Sequence, residues 1–79
     1  MVTIHRAHGL RVIIFVDDHE PAHVHVFGDG EAKINLSGAD GAPELLWATG
    51  MTRGDLRRAM QIVKEQQGFL LERWREIHG

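Results

Sequence analysis

The spacing of apolar residues changes period once along this chain, and that change limits the folds open to it. Up to Trp47 the apolar residues alternate or sit in short β-branched runs. From Thr52 onward they recur every three or four positions. A strand presents one face with period two and a helix with period 3.6. Sheet therefore comes first and helix last.

Residues 2–5 make a short first strand, and Gly9 marks a turn. Residues 10–16 (Leu-Arg-Val-Ile-Ile-Phe-Val) read as a buried strand. Residues 23–27 and 31–36 alternate, and Gly28-Asp29-Gly30 between them predicts a hairpin. Residues 44–47 add a short fifth strand. The loop over residues 17–22 carries Pro21, and the loop over residues 37–43 is rich in Gly, Ala and Asp. Thr52 is suited to cap a helix N-terminus, with Asp55 three residues on. Leu56, Met60, Val63, Gln67, Leu70, Trp74 and Ile77 then form one stripe, widened by Ala59, which predicts a helix over residues 53–77. Gly68 is the expected place for a kink. The reading is a single α+β domain over residues 1–79: a small, mostly antiparallel, four- or five-stranded sheet followed by one long C-terminal helix.

With 79 residues the chain builds only a modest core, and domains of this size lean on disulfides, metals or partner subunits. It has no cysteine, which removes the first. The amino-terminal residues lack the apolar run of a signal peptide, and no stretch is long enough to cross a bilayer. A cytoplasmic protein with no membrane partner is expected. The net charge is −2, against a broad nucleic-acid footprint. The charge is unevenly spread: residues 17–44 carry seven acids and only Lys33, whereas the last third is mildly basic.

His19, His23 and His25 fall within seven residues. On a strand, His23 and His25 project to the same side. If Val24 and Val26 lie under the helix, the two rings share an open face with Glu31, Lys33 and Asn35, and with Arg11, Ile13 and Phe15. Three readings follow. His19, His23 and His25 could hold a divalent metal, with Asp17, Asp18, Glu20 or Glu31 as further donors. His23 and His25 could serve as a catalytic acid–base pair acting on RNA, aided by Lys33 or Arg11. Or the rings are structural, with His23 capping the loop and His25 pairing across the sheet with Asn35 or Glu31. No cofactor beyond a divalent metal is implied.

The helix carries two further features. Arg53, Arg57, Lys64 and Arg75 form a basic stripe, read either as a solvated flank or as a contact for phosphate or an acidic partner. Ile62 and Phe69 lie opposite the core stripe, which points to an interface. Trp47 and Trp74 read as core.

The run Asp18-His19-Glu20-Pro21-Ala22-His23-Val24-His25-Val26 and the ending Trp74-Arg75-Glu76-Ile77-His78-Gly79 resemble the small bacterial family catalogued as domain-of-unknown-function family 4160. The resemblance covers nearly the whole chain. The family pattern has a second proline where Ala22 stands. The resemblance implies a stand-alone bacterial or archaeal protein whose gene neighbours that of another small protein, as in toxin–antitoxin pairs. It implies no reaction and no catalytic residues. It also draws attention to His78, which is expected to dock against the fold. The function expected is an interaction module that binds itself or a protein encoded nearby; the alternative is a small hydrolase using His23 and His25.

Overall fold

The computed structural model describes residues 2–79. Five strands, β1 (Val2–Ala7), β2 (Leu10–Ile14), β3 (His23–Phe27), β4 (Glu31–Asn35) and β5 (Glu44–Thr49), precede two helices, α1 (Arg53–Glu65) and α2 (Gln67–His78). The strands form one antiparallel meander in chain order, β1-β2-β3-β4-β5. Short connections make this order the natural one, because each strand pairs with its sequence neighbour. The β1–β2 turn has positive φ at both His8 (54°) and Gly9 (76°), which matches the twist of a two-residue hairpin. Gly30, in the β3–β4 turn, lies so close to the Thr49 carbonyl and the Gly50 backbone that a side chain there would collide with them.

The core lies between one sheet face and the helices. Leu10, Val12 and Ile14 of β2, Val24 and Val26 of β3, and Ala32 and Ile34 of β4 meet Ala59, Ile62, Val63, Leu70 and Trp74. The alternation that predicted the strands therefore also fixed which face is buried. Thr52 Oγ1 accepts from Asp55 N at 3.1 Å, capping α1 as its residue type predicts.

Several expectations are corrected. The helix is not one long rod. It breaks at Gln66, whose backbone leaves helical geometry (φ −103°, ψ 13°), two residues before the expected Gly68. A long-range contact sits at the break: Gln67 Nε2 donates to Leu36 O (2.6 Å) and Gly41 O (2.8 Å) and fastens it to the β4–β5 loop. Gln67 is thus a polar tie. Ile62, expected to face outward, is 5% exposed and belongs to the core, because α1 turns toward its Ala59–Ile62–Val63 side. β2 ends at Ile14, so Phe15 and Val16 lie in the following turn. Trp47, expected in the core, is 43% exposed because β5 is an edge strand.

Candidate metal centre

Consider the sheet face turned away from the core. The register sets Ile13, His25, Lys33 and Trp47 side by side across β2, β3, β4 and β5. This face was expected to be open, but only its β4–β5 half is. Over β3, the Trp74 ring lies 5.1 Å from that of His23, and the Phe15 ring meets His25 edge-on at 4.7 Å. His23 is therefore buried, and the His25 side chain is 12% exposed.

The loop between β2 and β3 delivers the third member. Asp18 N donates to Phe15 O at 3.0 Å, closing a tight turn, and Phe15 N donates back to Asp18 Oδ2 at 3.3 Å. The turn aims the Asp18 carboxylate at the rings. Its Oδ2 lies 3.2 Å from His23 Nε2 and 3.6 Å from His25 Nε2. One contact is misaligned for a hydrogen bond and the other is too long. Both Nε2 atoms are buried and unpartnered.

The opposite ring nitrogens explain why. His23 Nδ1 lies 2.9 Å from Pro21 O, and His25 Nδ1 lies 2.9 Å from Glu31 Oε2. A carbonyl and an ionised carboxylate only accept, so each Nδ1 carries the hydrogen and donates it. In the neutral rings the lone pair then sits on Nε2. Two such lone pairs and one carboxylate oxygen converge, with ligand atoms from all three residues within 4.8 Å of one another. Three electron-rich atoms facing one another repel unless something positive lies among them. Two ligands about 2.1 Å from a tetrahedral ion stand roughly 3.4 Å apart, and the two Asp18–His distances bracket that figure. Glu31 and the Pro21 carbonyl occupy the positions of outer partners that fix the tautomer of metal-binding histidines.

A cleft opens beside this cluster. Asp18, His23, Lys33, Asn35 and Leu46 are among its walls. Asn35 Oδ1 is buried there without a hydrogen-bond partner. Lys33 makes no ion pair among the described residues. The cleft reaches the cluster at Asp18 and His23, while both Nε2 atoms themselves are buried.

Of the residues expected to bind metal, His23 and His25 come together and His19 does not: it is exposed, on the cleft wall, and Asp18 stands in its place. Asp18 was visible only as a nearby acid, whereas the pairing of His25 with Glu31 was expected as part of the reading in which the rings are structural. The residue distance that brings Asp18 inward is set by the turn, which leaves no mark in periodicity. His78 docks as expected: it stacks on Trp74 at 3.8 Å, and its ring nitrogens meet Trp74 O (3.0 Å) and Phe15 O (3.2 Å). Trp74 Nε1 in turn donates to Glu20 Oε1 at 3.3 Å, so α2 holds the loop that carries Asp18. The basic residues Arg53, Arg57, Lys64 and Arg75 are exposed, and the break at Gln66 separates Arg75 from the other three. Phe69 is 45% exposed. No described helix is long and apolar enough to cross a membrane.

The family model for DUF4160, described as a domain of unknown function, matches residues 9–75. No curated protein and no solved structure matches the chain. The matched span holds every residue of the candidate centre, from Asp18 to Glu31.

Proposed function

The chain belongs to the DUF4160 family, whose description assigns no reaction, and from its site we propose a metal-dependent hydrolase. Asp18, His23 and His25 hold one divalent transition metal such as zinc or manganese. The observation that carries this reading is the pair of unpartnered Nε2 atoms facing Asp18, each ring locked from behind by an acceptor. Two imidazoles and a carboxylate make a donor set typical of catalytic metals, which bind a water or substrate as the fourth ligand. Such a metal supplies an activated water at neutral pH and polarises the bond under attack. Lys33, an unpaired ammonium at the cleft, would meet developing negative charge. That favours a phosphodiester, and RNA is the substrate to test.

The test uses untagged protein stripped of metal and then reloaded with zinc or manganese. We expect one metal per chain, bound by wild type and lost in H23A/H25A, and cleavage of single-stranded RNA only by the loaded wild type. Stoichiometric binding without cleavage would leave a structural metal and end the hydrolase reading. Absence of binding would end both.

A second reading, an interaction module paired with a protein encoded nearby, is favoured by Phe69, a large apolar side chain that α2 leaves exposed. Co-purification with the product of the neighbouring gene tests it, and a Phe69→Lys variant would then lose that partner.

A further inference from the structure

We propose that two copies of this chain associate through their β5 strands, joining the two sheets into one. β5 is the last strand of the meander, so its outer row of backbone N–H and C=O groups has no ladder partner. All six of its residues are exposed. Five large apolar side chains are exposed among the described residues, and three of them, Leu45, Leu46 and Trp47, are consecutive on this strand. Natural edge strands are usually guarded by lysine, proline or inward charges. Between Leu45 and Thr49, β5 has none of these; its one irregularity is the register shift at Leu46, opposite Lys33 and Ile34, and β1 has a comparable shift between Thr3 and His5. The opposite edge, β1, does carry a charge, Arg6, and exposes no large apolar side chain among the described residues. Both edges carry a register shift, so what distinguishes β5 is its exposed apolar run.

The composition of β5 selects a second copy as the occupant. Its one charge, Glu44, is at the strand's first position, followed by four apolar residues and Thr49. A two-fold axis through the middle of the strand pairs it antiparallel with itself. Leu46 and Trp47 of one copy then lie beside the same residues of the other. The two Glu44 carboxylates fall at opposite ends, more than about 10 Å apart at the rise of a strand, where salt screens them. The contact is isologous and closes at two subunits. Pairing β5 with β1 would instead build an open chain of molecules and bring Arg6 to the seam without a facing acid in mid-strand. A domain this small also gains the most from added buried area.

The experiment is sedimentation of the full-length untagged chain from micromolar to millimolar concentration, with hydrogen exchange of the β5 amides at both extremes. The expected result is twice the monomer mass at the upper end, with the outward-pointing β5 amides, those not bonded to β4, protected only there. Leu46→Lys should be a monomer throughout, and Phe69→Lys a dimer like wild type. A wild-type monomer at every concentration overturns the proposal. So does a dimer that Phe69→Lys dissociates, or one in which the β5 amides exchange freely. If Leu46→Lys fails to fold by circular dichroism, the exchange data on wild type decide alone. None of these readouts depends on metal, so failure here leaves the hydrolase reading standing.

Discussion

At Asp18 a single carboxylate determines what His23 and His25 can do. With it, three donor atoms converge; without it, two buried imidazoles remain as a bare pair. Replacing Asp18 with Asn keeps the shape and removes the anionic ligand. Metal affinity, measured by competition with a chromogenic chelator, should fall by at least about tenfold. Glu31→Gln leaves all three ligands in place but weakens the acceptor behind His25 Nδ1, 2.9 Å away. Its affinity should drop by about 10- to 100-fold, the usual effect of losing an outer partner. Unchanged affinity in Asp18→Asn would place the metal elsewhere. How far this site was legible follows from the same residues. His23 and His25 were readable because a strand's period puts them on one side. His19 looked like the third ligand because it is a histidine, yet only a closed turn from Phe15 to Asp18 decides which neighbour points inward.

The helical third shows where periodicity stops being informative. Its apolar spacing announced a helix, and the Thr52 cap gave its start to the residue. The spacing could not reveal that Gln67 serves a loop 26 residues away rather than the core. Gln67 is fixed to Leu36 O and Gly41 O where the helix interrupts at Gln66, and α1 and α2 meet the sheet with different sides. α1 then buries Ile62, while α2 presents Leu70 and Trp74. Gln67→Ala should cost about 1–2 kcal/mol, since two carbonyls lose a donor and one of them is partly buried. Urea unfolding followed by circular dichroism measures this directly. A loss within error of zero would mean that the break is held by packing alone. Gly68→Ala is the control: nothing lies within 4 Å of an added Cβ, so it should be neutral or slightly stabilising.

For the molecule as a whole, the candidate centre adds the β2–β3 loop to pieces that the core already joins. Its ligands come from the β2–β3 loop and β3, its outer carboxylate comes from β4, and Trp74 and His78 of α2 lean on the same loop. Burial of one sheet face holds β2, β3, β4 and the helices together; an ion would tie down the other face. The two-layer architecture was legible in the sequence because it follows from period alone. This second point of closure was not, since it depends on which atoms meet after folding. A ligand that binds only the folded state adds stability of about 2.7 kcal/mol at a hundred times its dissociation constant. In a domain of this length each kcal/mol moves the midpoint by about 4–8 °C. Saturating zinc or manganese should therefore raise the melting temperature of wild type by roughly 10–20 °C. Asp18→Asn, with affinity at least about tenfold lower, should show about half of that rise or less at the same metal concentration, and H23A/H25A none. An equal rise in wild type and both variants would assign the stabilisation to surface binding and remove the centre from the fold's energetics. Calorimetry with and without metal, on chains free of any added tag, distinguishes the two.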